Sequence, residues 1–253
     1  MPGGKLIGID CDKSAIEIAK RRLARFGPSF IPIHANFTQL GEIITDLKIE
    51  KIDGLLVDLG VSSMQLEDAS RGFSFTRNGP LDMRFDRRQP LTAEVIIKSY
   101  PLKRLTQIFR ELGEERFARG VALALVRRRG GRKKPWRTLE LAEIVRRAVR
   151  RKSYRIHPAT RVFQALRIEV NREIDNIQKL LSDVDLYLGR GGRIVVICFH
   201  SLEDRVVKQM FKRMAQEGKW RPLTLKPVLP TPQELGLNPR ARSARLRACE
   251  KIS

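Results

Sequence analysis

The sequence has no apolar run approaching the roughly 18–20 residues that cross a bilayer, so no membrane span is expected. Its opening residues, Met1-Pro2-Gly3-Gly4, lack a charged start followed by an apolar segment, and no secretory signal is read there. Cysteine is scarce. Cys11, Cys198 and Cys249 are odd in number and far apart, which suits neither a disulfide framework nor metal-ligand spacing. That usage fits a reducing cytoplasm, and no metal site is expected. Aromatics supply only 6% of the chain, although 42% of it is hydrophobic, a proportion that suits a globular core. At 253 residues it has room for one large domain or a core domain with an insertion. Acidic charge is the other shortage: 28 Asp and Glu face 50 Lys and Arg, leaving a formal charge of +22. A field of that sign attracts polyanions, and binding that neutralises phosphates weakens steeply with salt. The excess is spread along the chain, so nucleic acid leads over a merely solubilising basic surface or an acidic membrane.

What is present is an alternation of strands and helices. Lys5–Ile9 is a short apolar run ending at Asp10, and Ser14-Ala15-Ile16-Glu17 reads as the capping box of a following helix. Ile16, Ala19, Leu23 and Phe26 mark one face of that helix until Gly27-Pro28 stops it. Phe30–His34 is a second strand, Leu40–Leu47 is helical, and Ile52–Val57 is a continuous apolar strand of the kind buried on both faces of a parallel sheet. This order predicts an α/β doubly wound sheet. From about Leu91 to Val184 helices take over, with Leu102–Phe109, Glu114–Arg129 and Thr138–Val149 as candidates. Phe163, Leu166, Val170, Ile174, Ile177, Leu181, Val184 and Leu188 step by three and four, which predicts one long helix. Arg193–Phe199 returns as a strand and Leu202–Gln216 as an amphipathic helix with Val207, Met210, Phe211 and Met214 inward. From Gly218 onward periodicity is poor, and Asn238–Arg245 reads as a basic loop or tail. The expected division is therefore residues 1–90, an inserted helical domain at 91–184, and the resumed first domain at 185–253.

Ligands of open α/β sheets sit beyond the carboxyl ends of the strands. Asp10 and Asp58 occupy two such ends. A carboxylate there can bind both ribose hydroxyls of a nucleotide cofactor, or simply cap a helix. Asp58-Leu59-Gly60-Val61-Ser62-Ser63-Met64-Gln65-Leu66 leads into a long loop running through Arg71-Gly72-Phe73-Ser74-Phe75 and Gly79-Pro80-Leu81-Asp82-Met83-Arg84-Phe85-Asp86. Loops of that length are usually functional when ordered, and its aromatics and arginines suit a lid that stacks on a base and touches phosphate.

The Asp58–Asp86 stretch resembles the signature of the bacterial small-subunit (16S) rRNA cytosine-N4 methyltransferases. Further motifs agree in order: Gly113-Glu114-Glu115-Arg116-Phe117-Ala118, His157-Pro158-Ala159-Thr160-Arg161-Val162-Phe163-Gln164-Ala165-Leu166-Arg167-Ile168, Gly191-Gly192-Arg193, Phe199-His200-Ser201-Leu202-Glu203-Asp204-Arg205 and Asn238-Pro239-Arg240-Ala241-Arg242-Ser243. The resemblance covers essentially the whole chain. It implies a Rossmann-like S-adenosylmethionine methyltransferase sheet with an inserted helical domain, and methylation of the exocyclic N4 of a ribosomal cytidine. It implies small-subunit rRNA or the 30S particle as partner, with homodimerisation open. Carried over by motif, Asp10, Phe37, Asp58 and Gln65 are the cofactor contacts: Asp10 on the ribose, Phe37 near the adenine, Asp58 and Gln65 on the methionine side. The family also opens with a further strand and a Gly-Gly-His loop ahead of the Asp10 strand, and Met1–Gly4 is not that loop. Without that strand, apolar sheet surface should be exposed and cofactor binding weakened; the intact remainder favours an incomplete sequence. Met64 stands where the family usually has proline.

The N4 amine is a weak nucleophile, so the reaction needs it oriented toward the sulfonium methyl and an acceptor for its proton. Asp58, Ser62 and Ser63 are the catalytic candidates. A C5 methylation would need a cysteine nucleophile, which neither Cys198, in an expected buried strand, nor Cys11 suits. His200 is either an acid–base group or part of a helix start that Ser201 and Asp204 cap. His157 is expected to help hold the inserted domain or RNA. Arg127–Lys134 is a solvated loop or an RNA-contacting run. Two other classes compete: a catalytically silent RNA-binding or ribosome-assembly relative, and a nicotinamide-dependent oxidoreductase, which leaves the arginine excess unexplained.

Overall fold

The computed structural model describes residues 3–131, 134–149 and 156–253. In chain order its main elements are β1 (Leu6–Asp10), α1 (Lys13–Arg22), β2 (Phe30–His34), α2 (Leu40–Asp46), β3 (Ile52–Asp58), α3 (Ser63–Glu67), α4 (Ala93–Ser99), α5 (Leu102–Glu111), α6 (Ala118–Arg129), α7 (Thr138–Ala148), α8 (Ala159–Asn171), α9 (Glu173–Tyr187), β4 (Leu188–Cys198), α10 (Ser201–Gln216), β5 (Trp220–Pro222), α11 (Pro232–Leu237) and β6 (Arg245–Lys251). They form two compact units: one runs to Gly60 and resumes at Glu173, and the other is Val61–Arg172.

The first unit is the α/β part. β1 pairs in parallel with β2, from Leu6 opposite Phe30 to Asp10 opposite His34. A second sheet has the order β3-β4-β6-β5, with β3 and β4 parallel and β6 antiparallel to both of its neighbours. Its core joins Val57, Ile194, Val196 and Cys198 to Ile177, Leu181 and Val184 of α9 and to Val207, Phe211 and Met214 of α10. Among the described residues β1 and β3 each carry a strand partner on one edge only. Apolar exposure is present on both: Leu6 is 58% and Leu56 66% exposed.

The second unit is helical, and it contains the long loop. Phe73, Leu81 and Met83 are buried in one core with Ile96, Ile108, Phe109, Trp136 and Leu166. Asn171 donates to the Met83 carbonyl and accepts from the Phe85 amide, both at 2.7 Å. Thr138 Oγ1 accepts from the Gly79 amide at 2.9 Å and donates to the Arg77 carbonyl at 2.6 Å. A side chain on Gly72 would overlap the Pro80 carbonyl, and one on Gly79 the Ala69 carbonyl, so the tight approach of these segments requires both glycines. These ties explain why the units divide after Gly60 and Arg172, each earlier in the chain than the limits near residues 90 and 184 that composition indicated: the loop is core of the helical unit rather than a connector.

Several local expectations change. The single helix expected over Phe163–Leu188 is α8 and α9, broken at Arg172, whose φ of 51° and ψ of 39° are left-handed. The stripe steps cleanly across the break because both helices bury an apolar face, but in different cores: Phe163, Leu166 and Val170 in the helical one, Ile177, Leu181 and Val184 in the other. Leu188 starts β4 instead of ending a helix. The cap of α1 is Asp12, accepting from the Ser14 amide at 2.9 Å, while Glu17 pairs with Lys20. α6 begins at Ala118 rather than Glu114, because Glu114 has a φ of 50° and Glu115 accepts the Phe117 amide. The stretch from Gly218, where periodicity is poor, contains β5 and β6, two strands of the main sheet, and most of Asn238–Arg245 is the turn that leads into β6.

Candidate active site at the strand ends

The parallel register brings two sets of residues to carboxyl strand ends in the α/β unit. At the ends of β1 and β2, Asp10 lies opposite His34. One Asp10 carboxylate oxygen accepts the Asp12 amide at 2.7 Å, and His34 Nε2 lies 3.0 Å from the Cys11 carbonyl. Asn36 and Gln39 form a capping box around the turn that starts at Phe37. Phe37 and Ile9 pack against the same core as Val57 and Leu59.

At the ends of β3 and β4, Asp58 lies opposite Ile197 and Leu59 donates to the Ile197 carbonyl at 3.1 Å. Gly60 then turns with a φ of 88°, a conformation that favours glycine. The Asp58 side chain reaches solvent, yet partial burial of its carboxyl pushes its pKa above the ordinary carboxylate value. A strand-end carboxylate so placed accepts a proton more readily than a fully hydrated one.

Past β4 the helix start is built by His200 itself, not by Ser201 and Asp204. His200 Nδ1 accepts the Glu203 amide at 3.3 Å, and Glu203 Oε2 accepts the Phe199 and His200 amides at 2.8 and 3.3 Å. Glu173, at the start of α9, joins them: side-chain ligand atoms of Glu173, His200 and Glu203 lie within 4.8 Å of one another. Sequence spacing gave no sign of this cluster, since Glu173 is separated from His200 by all of α9 and β4. Its composition is that of a metal site, but the tautomer speaks against one. With Nδ1 accepting, a neutral ring keeps its hydrogen on Nε2, the atom 3.3 Å from Glu203 Oε1. An N–H facing a carboxylate offers no lone pair to a cation.

Cys198 is fully buried in β4, and burial pushes its thiol up to about 12. It therefore carries essentially no thiolate at neutral pH and is no nucleophile. Asp204 is taken up by Arg247 and Arg245.

The remaining candidates lie in the helical unit. Ser62 caps α3: its hydroxyl accepts the Gln65 amide at 3.2 Å, and Gln65 Oε1 accepts the Ser62 amide at 3.0 Å. Ser63 is the exposed first residue of α3, and Gln65 is buried. These residues thus shape the turn after Gly60. Arg71 is buried and gives Nη2 to the Arg84 and Phe85 carbonyls at 2.9 and 3.1 Å. Phe73 stacks on Phe85 inside the core. Neither is available as the lid group expected from sequence; Phe75, half-buried, keeps some exposure. In the basic run, Arg127 and Arg128 are exposed, whereas Arg129 donates to the Ile97 and Tyr100 carbonyls. Arg132 and Lys133, named in the same run, lie outside the described residues. Among the described residues no helix is long and apolar enough to cross a membrane.

A mixed α/β sheet unit with acidic residues at its carboxyl strand ends, joined to a helical unit, defines the class. The particular family follows from comparison: residues 1–252 match the MraW methylase family, and the chain belongs to it. It is 46% identical to the ribosomal RNA small subunit methyltransferase H of Carboxydothermus hydrogenoformans, over 98% of this chain and 85% of that protein. The protein of the same name from Geobacter sulfurreducens is 45% identical over 99% of this chain and 86% of its own length. That of Syntrophobacter fumaroxidans is 46% identical over 99% and 83%.

Proposed function

We propose that this chain transfers a methyl group from S-adenosylmethionine to the exocyclic N4 of a cytidine in small-subunit ribosomal RNA, free or within the 30S particle, in the cytoplasm. Family membership supports methyl transfer, and the relatives' names point to the ribosomal substrate. The observation that carries the chemistry is Asp58, a carboxylate of raised proton affinity at the carboxyl end of a parallel strand. The strand ends also fit the cofactor: Asp10 offers a carboxylate to ribose hydroxyls, and Phe37 offers an apolar ring to adenine. When bound, S-adenosylmethionine supplies an electrophilic methyl on its sulfonium. Asp58 would orient the N4 amine by accepting a hydrogen bond and would take its proton as the methyl passes from sulfur to nitrogen, the sulfonium leaving as a neutral thioether. Ser62, Ser63 and Gln65 set the turn that follows Asp58 without taking the proton. Cys198 stays out of the reaction.

Calorimetry with S-adenosylmethionine, followed by methyl transfer to 30S particles and mass analysis of the product nucleosides, tests the proposal. Cofactor binding and an N4-methylated cytidine are expected. RNA binding with no cofactor heat and no product would instead mark a silent RNA-binding relative.

The substrate's charge gives a second check. Replacing Arg127 and Arg128 with glutamine is expected to flatten the slope of log affinity against log salt by roughly one to two phosphate contacts. Filter binding across a salt series reads this; an unchanged slope removes both from the RNA-facing surface.

A further inference from the structure

We propose that His157 is the outermost ring of a stacking platform for an unpaired base of the RNA substrate; the inference rests on the ribosomal-RNA reading above. Three rings in the helical unit run from its core to solvent. Phe163 is buried at 4% exposure and anchors the series. Phe75 meets it edge-on, with centroids 5.2 Å apart and planes at 72°. His157 lies over Phe75, stacked at 4.7 Å and 22°, and is exposed. His157 is also held by its edge: Nδ1 accepts the Ala159 amide at 3.2 Å. The neutral ring therefore keeps its hydrogen on Nε2, a donor for a base carbonyl, a ring nitrogen or a phosphate.

A ring fixed by a stack on one face and a hydrogen bond at its edge has little freedom left to lose on binding. The surrounding sequence selects the ligand. Arg161 follows the ring in the first turn of α8, and the excess of Lys and Arg over Asp and Glu along the chain favours a phosphate backbone beside it. Aromatic platforms beside cationic tracks hold single-stranded nucleic acid, since every base has a π face. A base inside an A-form duplex is already covered by its neighbours, which selects an unpaired one. Phe73, two residues before Phe75 in the same loop, is buried and cannot serve.

The test uses the full chain and a short single-stranded RNA carrying a fluorescent purine analogue whose emission is quenched by stacking. The parent chain is expected to quench it. His157→Ala should lose the quench and bind roughly tenfold more weakly, while His157→Phe keeps both, since the second variant retains a ring without the nitrogens. Thermal melts of the variants establish that they fold, and the heat of S-adenosylmethionine binding should match the parent's in both. A folded His157→Ala that quenches like the parent overturns the proposal, as does a folded His157→Phe that does not quench. A parent chain that binds no RNA overturns the ribosomal-RNA reading itself.

Discussion

Replacing Asp58 with alanine is expected to lower kcat by about 10²–10⁴-fold, the range set by loss of a positioned proton acceptor, with RNA affinity largely retained. Asp58 is the strand-end carboxylate next to the Gly60 turn. Its working form is the carboxylate, and partial burial raises its pKa. Activity should therefore fall as pH drops, with a midpoint above the ordinary carboxylate range, and that limb should vanish in the residual activity of the variant. The direction of the shift also separates chemistry from folding. A carboxyl whose pKa is raised on folding contributes stability below its unfolded value and loses it as pH rises through the folded one. Asp58→Asn removes that cost, so at neutral pH it should unfold no earlier than the parent while remaining inactive. Initial rates across pH, paired with thermal melts, check both halves; unchanged turnover in Asp58→Ala would remove this residue from the mechanism.

The position of Asp58 at a strand end was legible because an apolar run ends there at an acid, and parallel strands end where ligands bind. The core strands and most helices were readable for the same reason, since their side chains report one buried face. Four features were not. The break at Arg172 left no mark, because apolar spacing records that a face is buried and not which core buries it. β6 was hidden by its charges. In Arg245-Leu246-Arg247-Ala248-Cys249-Glu250-Lys251 the alternation looks like a solvated tail, yet Arg247 and Glu250 are buried by pairing with residues from distant segments. The loop read as a lid proved to be core, because glycine and arginine in sequence do not show whether they face a ligand or a neighbouring carbonyl. Gly72, Gly79 and Arg71 all face carbonyls. The Glu173–His200–Glu203 cluster belongs with these misses, being assembled by the start of α9 and the turn after β4.

The hidden strand leads to the largest expected loss of stability, at Asp204. Arg247 in β6 is 5% exposed and reaches Asp204 in α10 through two hydrogen bonds, Nε to Oδ1 at 2.6 Å and Nη2 to Oδ2 at 3.2 Å. Arg245 adds a third at 3.2 Å. Burial works against ionisation of Asp204, but the hydrogen bond and charge of Arg247, with the charge of Arg245, outweigh it and hold the carboxyl below its ordinary value. Asp204→Ala leaves a guanidinium buried without its counter-ion, at a cost of about 3–5 kcal/mol, against a total of about 5–15 kcal/mol for a typical domain. Denaturant titration should show the α/β unit unfolding early. A carboxylate with a lowered folded pKa stabilises above its unfolded value and loses that contribution as pH falls through the folded one. The parent should therefore weaken in acid through this pair, and Asp204→Asn, already weakened at neutral pH, should weaken less further. Replacing both partners, Asp204→Leu with Arg247→Met, is expected to recover most of the loss, because the penalty comes from the stranded charge more than from the missing attraction. A double variant as unstable as Asp204→Ala would show that the ion pair itself, and not relief of a buried charge, ties β6 to α10.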